Sequence, residues 1–343
     1  MRKFWFKRRP SRTVWIAALV VATLLLGALA LGLNRSREPQ FQGRRISLWL
    51  EDYAAQKPGQ VSQAMREIGT NALPYVVQQL ERNDSPWQSG YRRLWPKLPG
   101  LLQKIFPSPK PPFEVVHGAN AFHFIGTNSL SSAITLLQHQ NPMVRQAAAW
   151  GICTLRRQSP VANEAIPALT AALSDPDQQV RFYTLLAFKE MGTAASNAVP
   201  VITTVLTPTG PASATNTAFY LRAAAASALG KIGPPAVSAV PSLKTTLQAP
   251  NPYLRGQAAT AIWRISGEVD TALPVLLHEL PLESEHSKWD WIIALGEMGA
   301  RATSAVPQLK LELTQARETW VLEYVTNALK KIDPLNFPTA PSE

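Results

Sequence analysis

The phrase SNAVPVITTVL at 196–206 returns as VSAVPSLKTTL at 237–247, DTALPVLLHEL at 270–280 and TSAVPQLKLEL at 303–313. Its prolines are Pro200, Pro241, Pro274 and Pro307, with Pro167 one step earlier, and the gaps between them are 33, 41, 33 and 33 residues. The long gap is one period plus an 8-residue insertion around 208–215. A period of this size marks stacked units, each burying its apolar side only against its neighbours. Such a chain is expected to build a surface rather than a pocket.

Each unit reads as helix, turn, helix, glycine. Three residues before the proline stands a helix-capping type: Asn197, Ser238, Thr271 and Ser304, with Asn71 and Asn128 in looser early copies. As N-caps they place the proline at the third helical position, where a missing N–H costs nothing. Apolar residues at helical spacing follow, such as Val240, Leu243 and Leu247, giving one buried stripe. After a short turn comes a basic residue, Arg145, Arg181, Arg222, Arg255 or Lys288. It lies 14 positions beyond the proline (or beyond Ser131, which replaces it), except for Arg222, which carries the insertion. A small-residue helix such as RAAAASALGKIG at 222–233 then ends at Gly192, Gly233 or Gly299, suited to a left-handed helix end.

These residues resemble the HEAT repeat family, in its short HEAT-like form, over roughly 60–332. The carriers are the first-helix proline, Asp175 eight residues after Pro167, and the basic residue opening the second helix. The resemblance implies an acidic–basic ladder between adjacent units, yet the acid recurs clearly only in the 167 unit, and Ala249 takes its place in the 241 unit. Neither the TPLHxA phrase of ankyrin repeats nor the tetratricopeptide Trp/Gly/Tyr pattern is present. The expected fold is all-α: a right-handed solenoid of about seven to eight antiparallel helix pairs over 46–332, preceded by one transmembrane helix.

That helix is expected at 13–33. Residues 1–12 carry six positive charges and no acid, and 14–33 are 20 uncharged, almost wholly apolar positions. About 20 residues cross a bilayer as a helix, more than the roughly 7–15 of a cleavable signal core. Ala28-Leu29-Ala30 offers a small-residue cleavage site, but the length favours an uncleaved signal anchor. Arg35, Arg37, Arg44 and Arg45 follow the span, so the charge balance favours a cytoplasmic N-terminus and a periplasmic or other extracytoplasmic array. The same segment explains the net charge of +11. Residues 1–45 hold ten Lys/Arg against Glu38, a net of +9, which leaves the array only +2. The array lacks the clustered basic face of a nucleic-acid binder; the basicity belongs to topology and anionic headgroups.

Between these parts, 34–45 reads as a linker, 46–54 (ISLWLEDYA) as a capping helix with Ser47 as N-cap and Trp49 inward, and 333–343 as a tail. Regularity breaks at 84–116, where Trp87, Tyr91 and Trp95 interleave with Arg92, Arg93 and Lys97. Lying near the anchor, this insertion is a candidate for the membrane surface, with aromatics at headgroup level; a hairpin covering the end of the solenoid is the plainer reading.

No catalytic, metal-binding or cofactor-binding pattern emerges: GxSxG, HExxH, a phosphate loop and Cys/His arrangements are all missing. His278 and His286 near Glu279, Glu283 and Glu285 span a turn without helical ligand spacing, and read as a solvated acidic turn. Cys153, the single cysteine, reads as a buried small hydrophobe. What remains is surface. Two positions before the basic residue stand Tyr220, Tyr253 and His286, and one position after it Phe182 and Trp289, a candidate partner-binding ladder, with core packing as the plainer reading. The basic column itself reads as structural. The expected function is a membrane-anchored, non-catalytic protein-interaction scaffold. Two alternatives stand beside it: a lyase attaching bilin chromophores, as some relatives of the short repeat form do, which the anchor opposes, and a ligand-sensing ectodomain, which twelve cytoplasmic residues ill support.

Overall fold

The computed structural model describes residues 38–54, 61–83, 86–105, 108, 113–207, 216–282, 285–316 and 318–337. After a hairpin of strands β1 (Gln40–Phe41) and β2 (Arg44–Arg45) the described residues are helical. The helices are α1 (Ile46–Ala54), α2 (Val61–Ile68), α3 (Leu73–Asn83), α4 (Pro86–Leu94), α5 (Gly100–Ile105) and α6 (Val115–Ile125). They continue as α7 (Leu130–Leu136), α8 (Pro142–Gln158), α9 (Ile166–Ala172), α10 (Gln178–Met191), α11 (Val199–Leu206) and α12 (Asn216–Ile232). The last are α13 (Val240–Thr246), α14 (Pro252–Ser266), α15 (Val269–Glu279), α16 (Glu285–Met298), α17 (Val306–Gln315) and α18 (Thr319–Ile332). With α3 paired to α6 across the insertion, they form an all-α solenoid of eight successive pairs.

Small residues set its curvature. The second helices α8, α10, α12 and α14 stack closely on one another, while the first helices barely meet. Ala147, Ala148 and Ala149 on α8, Ala225, Ala226 and Ala228 on α12, and Ala258 on α14 are fully buried at these contacts. Close packing on one layer and splay on the other put the second helices on the concave side. Two residues beyond each repeat proline, Leu169, Ile202, Leu243, Leu276 and Leu309 are fully buried, each burial worth roughly 1.5–3 kcal/mol.

The seam between α14 and α16 is different. Their direct contact is sparser, and fully buried Trp291 fills the gap, its ring lying flat on Gly256. A Cβ at position 256 would sit 2.2 Å from that ring, so only glycine fits. The buried core separates along α14 into a large cluster before it and a second from Ala259 through α18, with a small third cluster of Ala223, Ala249 and Leu254.

Several local expectations are corrected. Asn197, Ser238 and Ser304 do not cap helices; they lie inside 3-10 turns that run directly into α11, α13 and α17. The last turn residue, Ala198, Ala239 or Ala305, takes the N-cap position without a side-chain bond, and the proline follows within the first two helical positions. The 3-10 hydrogen bonds already serve the first amides, so a cap has nothing to add. Thr271 lies within α15, donating to Glu268 Oε2, and Pro274 is inside that helix. Side-chain caps occur instead on the second helices, from Asn141 to Met143 N, Asp177 to Val180 N and Asn251 to Leu254 N. Gly192, Gly233 and Gly299 follow the second helices with positive φ of 56°, 77° and 60°.

Ser47 is likewise not an N-cap: α1 begins at Ile46, and Ser47 Oγ donates to Glu38 Oε2. Trp49 does turn inward, with Arg44 over its ring at 4.5 Å. The second half of the expected linker is the β-hairpin, and the expected irregular stretch at 84–116 contains α4 and α5. The 8-residue insertion at 208–215 lies outside the described residues. So does the expected span at 13–33; among the described residues no helix is long and apolar enough to cross a membrane.

Candidate binding surface on the inner face

The basic column sits at the turns and satisfies its own unit before it reaches the next. Arg145 Nη1 donates to the carbonyls of His139 and Gln140, and Arg255 Nη1 to those of Ala249 and Pro250. Each then forks onto a carboxylate one unit ahead: Arg145 onto Asp175 at 2.7 and 2.9 Å, Arg255 onto Glu279 at 2.6 and 2.7 Å. Lys288 pairs with one carboxylate oxygen of Glu312. Arg181 bonds the carbonyls of Asp175 and Pro176, and Arg222 that of Leu206. The ladder thus runs further than the acid spacing suggested. Glu279 and Glu312 stand five residues after their prolines, on the helix itself, and a longer side chain reaches the place that Asp175 takes from eight residues after its own.

These pairs hold their charges firmly. Burial pushes the Glu279 carboxyl up, but the bonds from Arg255 and His278 and their charges outweigh it and hold it below its ordinary value. The expected acidic turn is thereby partly engaged: His278 Nδ1 lies 3.1 Å from Glu279 Oε1. The side chain of His286 lies outside the described residues.

Of the expected aromatic ladder, one step is seen, and the next contact is with buried Trp291, which is not one of its positions. Tyr220, 59% exposed, meets Tyr253 with ring centroids 6.1 Å apart, and Tyr253 continues to Trp291 at 6.2 Å. Phe182 is half-buried against the main core and touches Tyr183 edge-on. Trp289 meets Tyr324 at 6.4 Å and receives Lys189 Nζ 5.2 Å from its ring centroid. In the insertion, Tyr91 and Trp95 stack edge-on at 5.7 Å and Arg93 donates to Ser89 O; the side chain of Trp87 lies outside the described residues.

Lys189 ends α10 and Trp289 begins α16, so the inner face curves tightly enough for residues three units apart to meet. The curve borders a half-open cavity of about 650 Å³ among α8, α10, α12 and α16, where a plain surface was expected. Trp150, Leu186 and Trp289 form walls, and Arg156, Lys189 and Lys231 supply charge. Trp150 and Tyr183 stack face to face beside it, centroids 4.8 Å apart at 10°. Cys153 lines it from a buried position, as its sequence setting suggested. Nearby, fully buried Asp290 lies 2.9 Å from Arg264 Nη2, an ion pair without hydrogen-bond alignment. Arg264 also forks onto Glu297. Burial alone would raise the Asp290 carboxyl; Arg264, with the charges of Lys189 and Lys231, holds it down. Burial lowers the Lys189 ammonium, with Lys231 adding to the effect and Asp290 opposing it.

This cluster escaped the reading of the sequence, though a signal exists. From α10 onward, nine positions beyond the basic residue of the second helix stand Glu190, Lys231, Arg264 and Glu297, with Thr154 at that place in α8. Among the described residues no three His, Cys, Asp or Glu side chains gather as metal ligands.

A family model for HEAT repeats matches residues 130–212 and 211–285. These residues are HEAT repeats. The match spans α7 to the first residue of α16, and so carries most of the cavity and both tyrosines of the ladder. No curated protein matches the chain. Among solved structures the chain is similar to two engineered proteins known from crystal structures, both 17% identical. One has a TM-score of 0.40, covering 84% of this chain and 77% of that one; the other has 0.35, covering 75% and 96%. Likeness at that level carries no weight for function.

Proposed function

We propose that the chain is a membrane-anchored, non-catalytic scaffold that binds a protein partner along the inner face of its HEAT array. In this reading residues 14–33 cross the membrane, the N-terminus is cytoplasmic, and a right-handed array stands on the extracytoplasmic side. The observation that carries the binding role is the pair of rings Tyr220 and Tyr253, 6.1 Å apart at equivalent places of adjacent units, the first 59% exposed. Exposed tyrosine is a favoured interface anchor, large and cheap to order, and curved repeat arrays present such side chains along an extended groove.

The test is photo-crosslinking in cells from position 220, with the exposed outer-face position Leu311 as control. The reading expects a partner of discrete mass from 220, none from 311, and loss of the crosslink in Tyr253→Ala. Equal labelling from both positions contradicts it. Topology is tested separately by Val237→Cys, at a position 61% exposed. A membrane-impermeant maleimide should label it in cells with intact inner membranes; labelling only after lysis would reverse the orientation.

A further inference from the structure

We propose that the inner-face cavity takes an acidic segment of the protein partner, with its carboxylates on Arg156, Lys189 and Lys231. The inference rests on the reading of the inner face as a protein-binding surface and says what that surface selects.

The cations of this cavity differ from those of the basic column, where Arg181 and Arg222 bond backbone carbonyls. Arg145, Arg255 and Lys288 each reach a carboxylate, and Arg264 reaches two. Around the cavity, Arg156 Nε is buried without a hydrogen-bond partner. Among the described residues neither Lys189 nor Lys231 makes a hydrogen bond or an ion pair; Lys189 has only the face of Trp289. Two of the three repel each other enough for Lys231 to lower the Lys189 ammonium. The carboxylate in the lining, Glu190, is already engaged, and Asp290 beneath is held by Arg264. Glu190 and Asp290 act on Lys189 across space, but neither bonds it, and three cations beside one lining carboxylate leave a positive excess that a ligand carboxylate would neutralise where water is partly excluded.

The walls say what carries those carboxylates. Trp150, Leu186 and Trp289 offer apolar and aromatic surface, which suits a side chain such as Phe set between the acids. The stacked Trp150 and Tyr183 and the pair Trp289 and Tyr324 extend the aromatic surface beyond the cavity, which favours a chain over a lone small anion. A phosphate polymer is the weaker fit, since beyond residue 45 the charge balance is only +2.

The experiment uses the full-length protein in detergent and a short fluorescein-labelled peptide in which glutamates flank a central phenylalanine. Its partner is the same peptide with glutamine for glutamate. The proposal expects anisotropy to report binding of the acidic peptide, about tenfold weaker binding of the glutamine form, and weakening at high salt. Lys189→Met and Lys231→Glu should each cost about tenfold in affinity, with melting unchanged in at least the exposed Lys231 variant. Equal binding of both peptides, no binding of either, or unchanged affinity in a folded Lys231→Glu protein overturns it. Displacement by an equimolar amount of free glutamate also overturns it, in favour of a small-anion site. Should the acidic pocket fail while crosslinks from position 220 persist, the scaffold reading stands alone; loss of those crosslinks in the unaltered protein removes both.

Discussion

At the scale of single residues, the basic column divides by what each member touches. Arg255 forks onto Glu279, which is 2% exposed, and removing one member of such a pair strands the other. Arg255→Met should therefore cost about 3 kcal/mol in urea unfolding, and the double variant with Glu279→Leu should recover most of it. Glu279 also sets an acid limb. Its carboxyl lies below its ordinary value when folded, so its stabilisation is complete at neutral pH and is lost as pH falls below about 4.3 toward the folded value. Glu279→Gln should flatten that limb, seen as a shallower fall of Tm on acidification. The column itself was legible because 14 positions separate Pro167, Pro241 and Pro274 from Arg181, Arg255 and Lys288. Its partners were not, because reach can be exchanged for position: Glu279 and Glu312 replace an Asp three residues further on. The charges at Lys189 and Lys231 were hidden for another reason. They matter only because the inner face bends, and curvature is the sum of many small packing differences that no single spacing displays.

At the scale of helices, the capping residues mark where sequence logic and structure part. Asn251 receives Leu254 N–H, whereas Ser238 lies in a 3-10 turn. Asn251→Ala should cost about 1 kcal/mol, and Ser238→Ala less than about 0.5 kcal/mol, by the same urea measurement. A Ser or Asn three residues before a proline reads identically as a cap or as a turn residue, and only the preceding glycine, which starts the 3-10 turn, separates them. The seam at Gly256 is a sharper case. Nothing in PYLRGQAATAIWRIS announces that Trp291 from the next unit lies on that glycine. Gly256→Ala should cost about 1–3 kcal/mol through overpacking, or more if Trp291 is expelled.

At the scale of the molecule, a stacked array is held by neighbour contacts, so its stability is local. The core separates along α14, beside the seam Trp291 fills, and weakening that seam should uncouple the two large parts. In Gly256→Ala, native-state hydrogen exchange is expected to show α15 to α18 opening as a unit while α6 to α12 keep their protection; uniform loss along the array would mean the seam is no boundary. The repeat period made the architecture legible before any coordinate, because 33 residues buy one helix pair and little else. The central claim is that the curved inner face is where the chain binds. The most direct measurement is a crosslinking footprint, with one photoreactive residue placed in turn at Tyr220, Tyr253 and Trp289 on the inner face and at Leu311 and Val237 away from it. The account predicts one partner captured from all three inner positions and from neither of the others. Capture from Leu311 or Val237, with silence from the inner face, would contradict it.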